Sequence, residues 1–305
     1  NIRIGESQNW IMEACEYTNS FLSFHPTTSI ILNIEADHLD FFKDINDIRK
    51  SFRAFAELLP PHGLLVINTS IDNYEEISGN LKCKVVTYSI DDHNADVYAD
   101  NITFNDNGCG SYDLHINGVL KGHITLNVTG LHNISNSLAA IAVAYTQNIG
   151  LDTISRGLSG FTGASRRFQK KGEVAGITII DDYAHHPSEI KATLTAAAAY
   201  PHNNLWVVFQ PHTYTRTRAF LREFAEALTL ADNVIITDIY AAREQDPGDI
   251  SSIDIVNEME SLGKKAYYIS SFDDIENFIL KNLVNGDMLI TMGAGDVVTI
   301  GEELL

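Results

Sequence analysis

The chain has 305 residues, enough for two domains, and its 45% hydrophobic and 20% charged residues are those of a folded globular protein. Against 21 Lys and Arg stand 40 Asp and Glu, a net charge of −19 that repels a nucleic-acid backbone or an anionic membrane surface and excludes both as general partners. Cys15, Cys83 and Cys109 are too widely spaced for a zinc knuckle or a C-x-x-C pair, and neither a bilayer-length apolar run nor a signal pattern occurs, so a reducing cytoplasmic setting is expected.

Asn1 is no natural start: the chain opens without an initiator methionine and inside what reads as a strand and turn, as expected of a fragment. Residues 9–24 lead into an apolar run, Ser29 to Ile34, that ends in Glu35-Ala36-Asp37-His38-Leu39-Asp40. Four ionisable side chains at a strand's carboxyl end suit a metal or phosphate site, because divalent cations take carboxylate oxygen and imidazole nitrogen. For His38 alone a polar loop is explanation enough. Apolar residues at helical spacing (Ile48, Phe52, Phe55, Ala56, Leu59) predict a helix from Asn46 to Leu59, stopped by Pro60-Pro61. Gly63 to Asn68 is the next buried strand. Between about Val85 and Val128 short alternating strands (96–104, 112–116, 123–128), separated by Asn-Asp-Asn-Gly and Asn-Gly turns, predict a small antiparallel insertion. His115 and His123 fall within it as surface strand residues. The stretch from Thr129 to Ala140 then runs into an alanine-rich helix reaching Tyr145. His132, Asn133 and Asn136 sit in its first turn, where free backbone amides and the positive dipole end favour an anionic or polar ligand. Capping by Asn133 would not require the other two.

Gly160 and Gly163 let the chain change direction before Arg166 and Arg167, so a domain junction is expected, dividing residues 1–162 from 163–305. Gly176 to Ile180 is a short β-branched strand whose carboxyl end delivers Asp181, Asp182, Tyr183, His185 and His186. In open α/β sheets ligands bind at such ends. The plainer alternative is a solvated turn followed by a helix capped by Ser188. Strands at 205–209, 234–239, 266–269 and 288–291 alternate with helices at 219–230, 253–262 and 273–283, which predicts a mostly parallel, doubly wound sheet. Two of these strands end in informative loops, Gln210 to Arg218 and Gly293-Ala294-Gly295-Asp296; the latter is expected to let a ligand or the opposite domain approach the backbone. With cations scarce, an anionic small molecule requires them to be gathered, and Arg166, Arg167, Arg216 and Arg218 are the candidates.

Taken in order, NIEADHLD (33–40), GLHNISNSLAA (130–140), SRRF (165–168), DDYAHHPSE (181–189), FQPHTYTRTR (209–218) and GAGD (293–296) resemble the Mur ligase family over essentially the whole chain. DDYAHHP and QPHTYTRT are the stretches that separate members adding the first amino acid from those adding later peptide residues. The resemblance implies an α/β protein: a central mixed α/β ATP-binding domain with its antiparallel insertion, then a C-terminal Rossmann-like doubly wound sheet. A further N-terminal domain of the same polypeptide would hold the UDP-sugar. The implied reaction uses ATP and Mg2+ to join L-alanine to UDP-N-acetylmuramate through an acyl phosphate.

By this resemblance Glu13 and His38 match the metal-binding residues, and His132, Asn133 and Asn136 contact the nucleotide. Arg167 reaches the γ-phosphate, and Asp182 lies near the ribose. Tyr183, His212 and Arg216 form the alanine pocket, with His185 close to the reacting centre. The family's G-x-x-G-K-[ST] loop does not occur in these 305 residues, so this chain alone is expected to bind ATP weakly and not turn it over. The carbamylated lysine of some relatives is not carried over, since Lys50 and Arg53 stand in that helix. Where the family sometimes has a second arginine directly after the pocket histidine, this chain has Thr213, so one clamp is missing there; Arg218 reads as a solvated helix-start residue. Two other readings stay open. One is a recycling ligase that joins a whole peptide to the same UDP-sugar. The other is a non-enzymatic nucleotide-binding module, which would have no use for polar clusters at successive strand ends.

Overall fold

The computed structural model describes residues 4–305; the strand and turn expected at the opening of the chain lie outside it as far as Asn1 to Arg3, and from Ile4 to Glu16 no helix or strand forms. The chain divides into two compact units, one ending at Val86 and the other running from Thr87 to Leu305. The turn at Gly160 to Gly163 lies inside the second.

In the first unit a 3-10 segment, Tyr17–Ser23, precedes strand β1 (Thr28–Ile31), helix α1 (Ile45–Glu57), strand β2 (Leu64–Asn68), the short helix α2 (Glu75–Ser78) and the start of β3 (Lys84–Ser89). Strands β1 and β2 pair in parallel from Thr28 opposite Leu64 to Ile31 opposite Ile67. Asp44 starts α1 by accepting the Asp47 amide at 3.0 Å, satisfying a donor that the first turn leaves without a partner. The helix buries Ile48, Phe55 and Ala56, and Phe21 stacks on Phe55 with ring centroids 4.5 Å apart. Arg53 is committed to Glu57 at 2.8 Å and to the carbonyl of Ile77 at 3.1 Å.

In the second unit the end of β3 pairs in parallel with β4 (Val97–Phe104), which continues antiparallel into β5 (Cys109–Ile116) and β6 (Val119–Thr129). The short alternating strands expected here thus follow the end of β3 in the order β4-β5-β6. Asn117 and Gly118 both have positive φ, 51° and 73°, the two-residue turn whose twist matches a hairpin. His123 is exposed and 2.9 Å from Asp113, while His115 is half-buried with its ring stacked 4.7 Å from Tyr98. Helices α3 (Leu131–Thr146) and α4 (Leu151–Ser159) follow.

The second sheet is built from β7 (Gln169–Val174), β8 (Ile177–Asp182), helix α5 (Pro187–Ala198), β9 (Leu205–Phe209), helices α6 (Tyr214–Ala219) and α7 (Leu221–Leu228), β10 (Asn233–Ile236), α8 (Ser252–Ser261), β11 (Ala266–Tyr268), α9 (Phe272–Asn282), β12 (Met288–Met292) and α10 (Val298–Glu303). Its order is β11-β10-β9-β12-β8-β7, parallel throughout except for β7. Successive strand residues point to opposite faces. Val207, Phe209, Ile236 and Ile290 therefore pack with Leu194, Phe224 and Ile255 of α5, α7 and α8. Trp206, Val208, Ile235 and Leu289 pack on the other face with Ile275, Ile279 and Ile300 of α9 and α10. Both faces are covered, which is why these strands read as continuous apolar runs. Because β12 inserts between β8 and β9, these chain neighbours are not neighbours in the sheet, and it is outside the carboxyl ends of strands so ordered that α/β proteins bind ligands.

Candidate active site

The carboxyl end of β8 carries two aspartates with different tasks. Asp181 is fully buried; its Oδ2 accepts from Arg166 Nε at 3.0 Å and its Oδ1 from the Thr291 hydroxyl at 2.8 Å. The same guanidinium donates to the carbonyls of Gly293 at 2.8 Å and Gly295 at 3.1 Å. Arg166, one of the cations expected to gather an anion, is therefore engaged inside the protein. Asp182 is also buried, and its oxygens accept the amides of Phe168 and Ala184, each at 2.8 Å. Burial pushes its carboxyl above the usual range, while those amides and the Thr193 hydroxyl pull the other way. The two carboxylates hold the loop before β7 in a conformation in which Arg166 and Phe168 have φ of 59° and 45°, left-handed values that non-glycine residues seldom adopt.

Arg167 emerges from this loop with its side chain half exposed. Its Cζ is 5.4 Å from the centre of the Tyr183 ring, which also receives the Arg166 Cζ at 4.9 Å, and its Nη1 is 3.7 Å from Glu189. Glu189 accepts the backbone amides of His185 at 3.0 Å and His186 at 3.2 Å. The residue capping α5 is His186, whose imidazole accepts the Ser188 amide; the alternative of a Ser188 cap does not hold. His185 Nδ1 lies 2.9 Å from the Tyr183 carbonyl, to which only a protonated nitrogen can donate, so Nε2 is the acceptor in the neutral ring.

Helix α3 begins at Gly130, with φ of 95° and no side chain to cap the first turn. Asn133 is no cap: its Nδ2 donates to the Thr129 carbonyl at 2.8 Å and lies 3.2 Å from His132 Nε2. Asn136 lies one turn further on, with its Nδ2 3.5 Å from Asn133 Oδ1. The His132 ring keeps an accessible edge yet is hemmed in by neighbouring atoms. That desolvation, and then the positive charge of Arg167, holds its imidazole below the ordinary histidine range. Beside it lies a cavity of about 530 Å3, mostly apolar, lined by Phe104, Leu131, His132, Lys191, Ala192 and Ala196 among others.

The loop after β9 makes the third part. Thr213, with φ of 66°, caps α6 through its hydroxyl, which accepts the Arg216 amide at 3.4 Å. That turn returns Arg216, itself buried, to within 3.1 Å of His212 Nδ1. Arginine only donates, so Nδ1 accepts and the neutral His212 carries its proton on Nε2. Burial first, then the positive charges of His185, Arg216 and Arg243, push His212 down to about 4, with Glu244 acting weakly the other way. The His212 ring is 5.5 Å from His185 and lies flat against Tyr240 at 5.8 Å. Arg218 is paired with Asp249 on the surface. At the end of β12 the glycines admit Gln210 and Arg166 of the same unit: a Cβ on Gly293 would stand 2.7 Å from the Gln210 carbonyl, and Gln210 Nε2 donates to Asp296 at 2.7 Å.

In the first unit His38, with φ of 52°, has Nε2 3.5 Å from Glu16 and 3.8 Å from Asp37, and its ring centroid is 4.6 Å from that of Tyr17. Glu13, the residue singled out in the sequence, is exposed. Among the described residues no three His, Cys, Asp or Glu side chains converge to hold a metal ion. The sequence reading also passed over Tyr240, Arg243 and Glu244, although the signal that marks the other loops, polar residues just beyond a strand's carboxyl end, is present after β10 as well.

A doubly wound sheet with polar and cationic groups gathered at the carboxyl ends of its strands is the frame of a ligand-binding α/β protein. The model for the Mur ligase middle domain matches residues 2–144, and that for the Mur ligase, glutamate ligase domain matches residues 166–295. A UDP-N-acetylmuramate--L-alanine ligase from Lachnoclostridium phytofermentans is 57% identical over 314 residues, covering 100% of this chain and 67% of that protein. Among solved structures, the UDP-N-acetylmuramate-alanine ligase MurC from Thermotoga maritima is 26% identical with a TM-score of 0.76, over 94% of this chain and 60% of that one. A murein peptide ligase from Psychrobacter arcticus is 26% identical with a TM-score of 0.66, over 93% and 58%. The chain belongs to the Mur ligase family. It spans about two thirds of the length of the curated relatives it matches.

Proposed function

We propose that this chain comprises the central and C-terminal domains, residues 1–162 and 163–305, of an ATP-dependent ligase that joins L-alanine to UDP-N-acetylmuramate. One observation carries the reading: a continuous row of groups from the loop before β7 to the β9 loop. Arg167 stacks 5.4 Å from Tyr183; Tyr183 meets His185 at 5.4 Å, His185 meets His212 at 5.5 Å, and His212 meets Arg216 at 3.1 Å. An amide-forming ligase needs such a row, because the phosphoryl donor and the amino acid must meet at one carboxyl group.

In this reading the γ-phosphoryl of ATP passes to the muramate carboxylate, the alanine amine attacks the acyl phosphate, and phosphate leaves as the amide forms. No covalent enzyme nucleophile is required, and the side chains act by positioning and charge. His132, Asn133 and Asn136 receive the nucleotide at the amide-rich start of α3. Arg167, exposed and cationic, meets the γ-phosphate. Asp182 serves the nucleotide side by fixing the backbone that carries Arg167, since its own oxygens accept amides. Arg216 binds the alanine carboxylate, His185 and the neutral His212 face its amine, and Tyr183 walls the pocket. A neutral imidazole is suited to an attacking amine, which must itself be deprotonated.

Magnesium belongs to the reading through Glu13 and His38. The donor set around His38 does not fit a complete cage: its carboxylate neighbours are Glu16 at 3.5 Å and Asp37 at 3.8 Å, and among the described residues no three such side chains converge, so no step is assigned to the ion. A cytoplasmic setting goes with ATP and a UDP-sugar as substrates, and among the described residues no helix is long and apolar enough to cross a membrane. The test is phosphate release by the protein at the full length of its relatives. It should require ATP, UDP-N-acetylmuramate and L-alanine together. Turnover with a peptide in place of L-alanine, and none with L-alanine, would instead identify a peptide-recycling ligase.

A further inference from the structure

An imidazole accepts and donates in the plane of its ring, so that plane decides what its two nitrogens can reach. The torsion that sets the plane is soft, without sharp rotamer wells, and holding it takes packing from outside the side chain. His212 has such packing. Tyr240, in the loop after β10, is bonded to the β9 loop on both sides of His212: its amide donates to the Pro211 carbonyl at 2.8 Å, and its carbonyl accepts the Thr213 amide at 2.9 Å. This isolated parallel bridge lays the phenol ring beside the imidazole, with centroids 5.8 Å apart and an interplanar angle of 16°. The loop after β12 backs the Tyr240 ring in turn. A Cβ on Gly295 would stand 2.8 Å from Tyr240 Cγ and Cδ2, so the missing side chain is what admits the ring, and the Gly295 carbonyl accepts Arg166 Nη1 at 3.1 Å.

Three loops, after β9, β10 and β12, therefore meet around one phenol ring. Tyr240 is exposed and adds little to the core, so the ring's main effect falls on its neighbour. In the plane so held, His212 Nδ1 lies 3.1 Å from Arg216 Nη1, and the ring stands 5.5 Å from His185 at 62°. We propose that Tyr240 is a positioning residue whose ring sets the plane of the His212 imidazole and, through it, the direction in which that histidine meets the amine of the amino-acid substrate. This assignment rests on the reading that the β9 loop receives L-alanine.

The experiment compares Tyr240→Ala, Tyr240→Leu and Tyr240→Phe in the protein at the full length of its relatives, with thermal unfolding run alongside. Two readouts are taken, steady-state kinetics and the titration of His212 by histidine NMR between pH 5 and pH 8, its signal assigned through His212→Asn. Tyr240→Ala should lower kcat/KM for L-alanine by about tenfold, the scale of a misplaced catalytic contact, and leave the KM for ATP and for UDP-N-acetylmuramate within about twofold. Burial is the first cause of the low His212 pKa of about 4, and the charged groups around it, His185, Arg216, Arg243 and Glu244, remain in the variant. With one face of the ring uncovered, His212 should titrate about one pH unit higher. Tyr240→Leu, which keeps bulk without a flat face, should show the kinetic loss with an unfolding temperature close to wild type. Tyr240→Phe should restore both readouts. Unchanged L-alanine kinetics in Tyr240→Ala and Tyr240→Leu, a loss in Tyr240→Phe as large as in Tyr240→Ala, or a kinetic loss with His212 titrating as in the wild type overturns the assignment. A wild-type protein that turns over with another amino acid and ignores L-alanine overturns the substrate reading instead, and the His212 titration, which needs no substrate, still judges the role of Tyr240.

Discussion

Arg166 and Asp181, 15 residues apart in sequence, form an ion pair of 3.0 Å at the base of the site, with the carboxylate wholly buried. The pair ties the loop before β7 to the end of β8, and the remaining guanidinium nitrogens tie both to the carbonyls after β12. Removing one partner strands a buried charge. Arg166→Ala should therefore lose about 3 kcal/mol of stability, measured by urea unfolding at neutral pH. Arg166→Lys should rescue little, because one ammonium cannot serve the carboxylate and two separate carbonyls in the same geometry. A loss under about 0.5 kcal/mol, the scale of an ordinary surface change, would remove the pair from the structural account.

Arg167, its neighbour, faces outward and stacks on Tyr183. If it meets the γ-phosphate as charge shifts during transfer, its contribution lies in the transition state. Arg167→Ala should lower kcat by about a hundredfold or more while changing the KM for ATP much less. A normal kcat with a raised KM for ATP would assign it to ground-state nucleotide binding.

Arg216 lies 3.1 Å from His212 and is buried, where a bidentate hold on a carboxylate has most value. Arg216→Lys should raise the KM for L-alanine by about tenfold and leave that for ATP nearly unchanged. Equal effects on both substrates would take Arg216 out of the alanine pocket.

His212 gives a pH signature with a definite sign. Its folded pKa of about 4 lies below the usual histidine value, so between those values the unfolded chain binds the extra proton. Its contribution to stability is complete above about pH 6.5 and is lost as pH falls toward 4. Unfolding of the wild type and of His212→Asn, compared at pH 7.5 and pH 5, checks this: the wild type should lose more stability between the two than the variant. Parallel losses would mean that His212 titrates normally.

His38 offers a test of the metal reading. In the protein at the full length of its relatives, His38→Ala should raise the magnesium concentration needed for half-maximal acyl-phosphate formation, with circular dichroism unchanged. An unaltered magnesium dependence would leave His38 as a loop residue held by Glu16.

The amino-acid sequence by itself determined the alternation of strands and helices, and with it the places where polar side chains would gather. A β-branched run such as Ile177 to Ile180 suits a strand covered on both faces, and parallel strands bring their carboxyl ends to one edge. His132, Arg167, Tyr183, His185, His212 and Arg216 could be named from that rule and from the family resemblance. Tertiary structure alone decided how adjacent, chemically identical residues divide their tasks. Arg166 turns inward and Arg167 outward because left-handed backbone at Arg166 and Phe168 splays the loop, and because partners more than a hundred residues away, at Gly293 and Gly295, claim one guanidinium. Asp181 and Asp182 likewise spend their charge within the protein, on Arg166 and on backbone amides. Tyr240 comes to His212 only because β9 and β10 lie side by side in the sheet and the loops beyond them are hydrogen-bonded together. Such pairings depend on strand order, which is fixed by packing across the whole sheet and by no local pattern.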